Sequence, residues 1–228
     1  MNARRTIALV LLAAAALLFA GCTALDVVGR TAVSTFQALL EAEPGSVTRN
    51  GTPDRWVFTS PGGERFEWSL DFSSVGPDFL VSFDAAPFIA AGLEPAKLPA
   101  DRYAFDAAAG TLVLSFEAGS RAFTYRGDAT PLETFRKVVG AYRPMIGYHA
   151  ALDHYGVALG GGNMFEWAKD LSTNDKDIVF VLDPGPFIAA GVDPGRIEGW
   201  VFAKVPVMDA SGKPVEVDKI LKPYGLEG

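Results

Sequence analysis

Residues 66–98 read FEWSLDFSSVGPDFLVSFDAAPFIAAGLEPAKL, and residues 165–197 read FEWAKDLSTNDKDIVFVLDPGPFIAAGVDPGRI. Set 99 positions apart, the two stretches match without a gap and are identical at 14 of 33 positions. Phe66-Glu67-Trp68 falls on Phe165-Glu166-Trp167, and Pro87-Phe88-Ile89-Ala90-Ala91-Gly92 falls on Pro186-Phe187-Ile188-Ala189-Ala190-Gly191. The register continues upstream, where Thr35-Phe36 meets Thr134-Phe135 and Trp56 meets Tyr155. Two units follow, 31–129 and 130–228. Two copies of this length are too few and too long for a solenoid. The reading is a pair of pseudo-symmetric repeats.

Each unit has the same local grammar. Val33, Phe36, Leu39 and Leu40 in the first, and Leu132, Phe135, Val138 and Val139 in the second, recur at helical spacing. Pro61-Gly62-Gly63 and Gly160-Gly161-Gly162 read as hairpin turns. Phe66, Trp68, Leu70 and Phe72 alternate with Glu67, Ser69 and Asp71, the pattern of a strand with one apolar and one wet face. Trp68 and Trp167 are then core residues. Residues 79–83 and 178–182 are apolar almost throughout and suit central strands.

The repeated Pro-Phe-Ile-Ala-Ala-Gly reads as a short helix. Asp84 and Asp183 are the expected N-caps, and Gly92 and Gly191 the left-handed residues at its C-terminal end. Strands are expected at 102–105, 111–116, 200–207 and 214–217, with an extra one at 121–126. The fold class is therefore α+β, each repeat a helix packed on a mostly antiparallel sheet with a short extra helix.

The chain has 228 residues, 49% hydrophobic and 21% charged, the profile of a globular protein. Its formal charge is −7. Without the first 21 residues, which hold Arg4 and Arg5 and no acid, 18 basic residues face 27 acidic ones. So acidic a surface repels phosphate backbones and argues against nucleic-acid binding. The single cysteine, Cys22, rules out an intramolecular disulfide.

Arg4 and Arg5 precede an unbroken apolar run of 14 residues, Ile7 to Ala20. A membrane-spanning helix needs about 20, so the run suits the hydrophobic region of a signal peptide. It ends in Leu18-Phe19-Ala20-Gly21-Cys22, which resembles the lipobox of bacterial lipoprotein precursors, although Phe19 stands where the usual motif has Leu. The resemblance implies a signal peptide at 1–21 and a lipidated tether at 22–30. It also implies diacylglycerol on the Cys22 thiol, with a further acyl group such as palmitate on the new N-terminus. Two or three chains anchor stably where one does not. Thr23, rather than Asp, after the cysteine implies the outer membrane if the cell has two.

No nucleophile elbow, phosphate loop or cofactor motif is present, and no cofactor is expected. His149 and His154, five apart, do not stack on one helix face as two metal ligands would. They read as exposed loop and strand residues, with no metal. The catalytic candidates are the repeated acids Glu67, Asp71, Glu166 and Asp170, since paired carboxylates suit acid–base chemistry. As ordinary strand and turn residues they would be solvated instead.

The expected function is a non-catalytic, membrane-anchored envelope module binding a protein, glycan or lipid. An envelope hydrolase using the repeated acids and an accessory subunit of an envelope assembly are the alternatives.

Overall fold

The computed structural model of the chain describes residues 31–51, 54–70, 77–117, 129–141, 145–150, 152–171, 176–209 and 211–226. Cys22, Asp71 and the strand expected at 121–126 lie outside them. The fold mixes helix and sheet. Sheet 1 holds β1 (Val47–Gly51), β2 (Asp54–Thr59), β3 (Arg65–Ser69), β4 (Phe79–Asp84), β5 (Tyr103–Asp106) and β6 (Thr111–Phe116), in the order β1-β2-β3-β4-β6-β5. Sheet 2 holds β7 (Ile146–His149), β8 (His154–Ala158), β9 (Met164–Ala168), β10 (Ile178–Leu182), β11 (Val201–Met208) and β12 (Pro214–Tyr224), in the order β7-β8-β9-β10-β12-β11. The two orders correspond strand for strand, and every pairing is antiparallel.

The registers correspond as well. Trp68 pairs with Phe79 and with Trp56; Trp167 pairs with Ile178 and with Tyr155. Each pair is the other shifted by 99. Edge strands β1 and β7 were not expected. They are short, and β1 is mostly exposed, so neither carries a clear apolar alternation. Strand β12 runs well past the expected 217.

Helix α1 spans 31–42 and α3 spans Pro131–Ala141. A capping box starts α3: the Thr130 amide donates to Glu133 Oε2 at 2.8 Å, and the Glu133 amide donates to Thr130 Oγ1 at 3.2 Å. The short helices are α2 (Ala86–Ala90) and α4 (Pro184–Ala189). Asp183 caps α4 as expected, accepting from the Gly185 amide. The N-cap of α2 is Ala85, not Asp84. Pro184 fixes φ for a first helical position, and the first half has Ala85 there, so its helix starts one residue later in the shared register. Asp84 still accepts from the Ala86 amide at 2.9 Å.

Both short helices end alike. Gly92 has φ +106° and Gly191 φ +97°. The Gly92 amide donates to Ile89 O and the Leu93 amide to Phe88 O; Gly191 to Ile188 O and Val192 to Phe187 O repeat the pair. This is the two-bond Schellman closure, with Leu93 and Val192 folded back into the core.

One core serves both halves. Phe36 of α1 and Phe135 of α3 stack 3.9 Å apart, and each meets both Trp68 and Trp167 edge-on. Phe66 stacks on Phe165 at 4.2 Å with planes 6° apart, and Phe88 lies 5.1 Å from Phe187. In each pair a residue meets its own repeat equivalent. At the α2 and α4 ends the backbones join directly, the Glu94 amide to Ala190 O at 2.8 Å and the Asp193 amide to Ala91 O at 2.9 Å.

This approach requires glycine twice over. A Cβ on Gly191 would stand 2.8 Å from Gly92 O, and one on Gly92 would stand 2.6 Å from Gly191 O. Gly191→Ala should therefore lose more than the left-handed strain alone, about 2 kcal/mol in all, lowering the melting temperature by roughly 4–8 °C. Gly110, at φ +65° with open space around it, is the control. Gly110→Ala should cost only about 1 kcal/mol. Equal melting temperatures for the two variants would count against the close approach.

Candidate functional site

The alternation of β9 sends Phe165 and Trp167 into the core, so Met164, Glu166 and Ala168 face the other way. On this outer face of sheet 2, Val179, Val181, Val205 and Leu221 form a second apolar cluster, with Met164 and Ala203 packed on it. The equivalent positions of the first half are more polar. Arg65 stands for Met164, and Ser82 for Val181. Strands β11 and β12 have 8 and 11 residues, against 4 and 6 in β5 and β6. The long hairpin reaches back over the face until Pro206 O lies 2.9 Å from His149 Nε2. Strands β7 and β11 are the two edges of sheet 2, so this contact joins opposite edges. Under it lies a pocket of about 390 Å³.

Glu166 lies in the pocket wall and is 1% exposed. His149 Nδ1 stands 3.2 Å from its Oε1, and His154 Nδ1 stands 3.6 Å from its Oε2, just beyond hydrogen-bond reach. Burial alone would raise the Glu166 carboxyl, but the two imidazoles outweigh it and hold it below the usual carboxylate range. Gly156, the cross-strand neighbour of Glu166, makes room for it. A Cβ there would lie 2.9 Å from Glu166 Cγ and 3.1 Å from Met164 Cε. The first half has Val57 at this position.

His149 faces two acceptors, the Glu166 carboxylate and the Pro206 carbonyl. Only the doubly protonated ring donates to both. The Glu166 bond, and behind it the carbonyl, raise its pKa above the ordinary histidine value. Lys219 also lines the pocket, its Nζ donating to Gly162 O at 2.7 Å. Burial lowers its pKa, opposed by the more distant charges of Asp183 and Glu166.

The acids singled out by the repeat do not converge. Glu67 is buried on the outer face of sheet 1, where Arg65 lies 3.1 Å away. The neighbours of Glu67 and Glu166, Phe66 and Phe165, stack in the shared core, so the two carboxylates point away from each other. Asp170 is exposed beyond the end of β9, and Asp71 lies outside the described residues.

The histidines need correcting. His154 is 3% exposed rather than open to solvent, and His149 is half-buried. They are cross-strand partners in the β7–β8 hairpin. A spacing of five is wrong for one helix face, but a hairpin makes such residues direct neighbours. Lys219 went unmarked because its role depends on where the long hairpin lands.

The pH dependence follows from the raised His149 pKa. Its contribution to stability is fully present below about pH 6.5, the unfolded value, and is lost as the pH rises through the folded one. His149→Gln should lower stability by about 1–2 kcal/mol at pH 6 and by clearly less at pH 9. Thermal melts of both proteins at the two pH values check this. A difference that does not change with pH would rule out the protonated latch.

Among the described residues no group of three or more His, Cys, Asp or Glu side chains is placed to hold a metal ion. No helix among them is long and apolar enough to cross a membrane. No known family, curated protein or solved structure matches the chain.

Proposed function

We propose that this chain is a lipid-anchored protein of the cell envelope that binds an apolar small molecule in the pocket of its second half, without catalysing a reaction. It is built as two pseudo-symmetric repeats, each with its helix packed on its sheet. Cys22 carries diacylglycerol and an N-terminal acyl group such as palmitate, and in a cell with two membranes the body stands at the outer one.

One observation carries the binding reading. Sheet 2 departs from the repeat at and behind the pocket: Met164 for Arg65 and Val181 for Ser82 in its lining, Gly156 for Val57 leaving room for Glu166 and Met164, and a longer last hairpin. A pocket of this size, mostly apolar with a few polar groups, suits small-molecule binding. Binding is favoured over hydrolysis by the repeated acids because, of the four, only Glu166 is among the described lining residues, and its carboxylate already faces two imidazoles. The anchor rests on the lipobox resemblance.

Two experiments test the two parts. Expressed in a bacterium fed an alkyne-tagged palmitate, the chain should take up the label, and Cys22→Ser should not. Equal labelling of the two would sink the lipid anchor. For the pocket, Nile red should bind saturably at one site per chain. Val181→Phe, which fills the pocket, should weaken that site about tenfold or more, or about 1.4 kcal/mol. An unchanged titration in a folded Val181→Phe protein would overturn the pocket as the binding site.

A further inference from the structure

Resting on the pocket as a binding site, we propose that its ligand is a single-chain amphiphile with a carboxylate head, its alkyl chain in the pocket and its head on Lys219. The chain is argued from the lining. Met164, Val181, Val205, Pro206 and Leu221 present aliphatic surface, and the rings among the described lining residues are Tyr148 and the His149 imidazole, whose nitrogens are both already bonded. Such walls suit a flexible alkyl chain by dispersion and burial, and offer little to a stacked ring. A volume of about 390 Å³ lies near the small end of ligand pockets, which suits one chain rather than two.

The head is argued from charge. The buried Glu166 carboxylate is matched by His149, whose two nitrogens are both occupied. Lys219 is different. It lines the pocket, and among the described residues its ammonium has no carboxylate within 4.0 Å; its bond is to a backbone carbonyl. Two of the three donors of an ammonium then remain for something else. Glu166 is too buried and too well paired to attract a cationic head. A half-buried cation at the edge of an aliphatic pocket therefore complements an anion.

The register shows that this cation is particular to the second half. Leu182 pairs with Ile220 as Phe83 pairs with Leu112, which puts Lys219 where sheet 1 has Thr111. The cation thus occurs in the same half as the apolar face and the long hairpin. An alkyl carboxylate uses all three: chain to the apolar face, head to the lysine, and the hairpin as roof.

The test uses the full-length chain in its native membrane and two diazirine photoprobes, a twelve-carbon fatty acid and the matching alcohol, with labelled peptides located by mass spectrometry. The acid should label peptides containing Met164, Val181 or Leu221 at least tenfold more efficiently than the alcohol. Lys219→Met should cut acid labelling about tenfold and leave the alcohol unchanged, while Lys219→Arg retains it. If neither probe labels these peptides, the pocket is not an apolar binding site and the proposed function falls with this inference. If both label them equally, or Lys219→Met has no effect, the pocket stands and the carboxylate head is overturned.

Discussion

The structure depends on residues meeting their own repeat equivalents. Phe36 meets Phe135, Phe66 meets Phe165, Phe88 meets Phe187, and Gly92 meets Gly191. A unit of this size buries too little apolar surface alone to offset the entropy of ordering its chain. Sharing a core removes that difficulty, since every aromatic at the junction covers one from the other half. Hydrogen bonds fix the register where dispersion would let the halves slide. Trp167 Nε1 donates to Thr35 Oγ1 at 2.9 Å, and Tyr224 donates its hydroxyl to Glu64 at 2.6 Å. Asn163, the repeat equivalent of Glu64, lies 3.5 Å from the Tyr103 hydroxyl. Burial raises Tyr103 to about 12, so its hydroxyl stays neutral.

This arrangement leaves different freedoms to the two faces of each sheet. The inner faces must match each other, which explains why Phe66-Glu67-Trp68 and the Phe-Ile-Ala-Ala-Gly segment are repeated. The outer faces have no such constraint. Sheet 1 uses its outer face for polar pairing: Arg65 with Glu67, and Arg55 donating to Pro77 O. Sheet 2 has become apolar and roofed. A duplicated scaffold with one altered face holds a pocket rigidly, because the strands beneath it are fixed from the core side.

Much of this was legible in the sequence, for a physical reason in each case. The gap-free match of 33 residues anticipated equal strand registers, because a one-residue slip would turn Phe66 and Trp68 out of the core. Gly92 and Gly191 were legible because a short helix needs a left-handed residue to end it. The edge strands were not, since β1 presents Thr48, Arg49, Asn50 and Gly51 to solvent and carries no alternation. Glu166 was marked by its repetition, yet its surroundings were not readable. Its partners His149 and His154 come together only when β7 pairs with β8. The pocket was hidden because β11 and β7 lie at opposite edges of a sheet and some 57 residues apart along the chain. The signal that was available lay in the mismatches of the repeat, at Met164, Val181 and Gly156, rather than in its identities.

That contrast explains why an acid kept in both copies has different surroundings in each. Glu67 and Glu166 are both buried on outer faces, where a carboxylate must find donors or be neutralised. In sheet 1 the donor is Arg65, on the same strand two residues away. In sheet 2 Met164 stands where that arginine would be, so the carboxylate must be satisfied from other strands. His154 approaches from β8 and His149 from β7, and His149 also holds the roof through Pro206. Having an apolar residue in place of the arginine thus does two things. It supplies a wall of the pocket, and it leaves a buried charge whose new partner ties the roof in place. The acid in this half is thereby tied to the pocket's closure, and Lys219 remains as a charge at the pocket that, among the described residues, has no carboxylate within 4.0 Å.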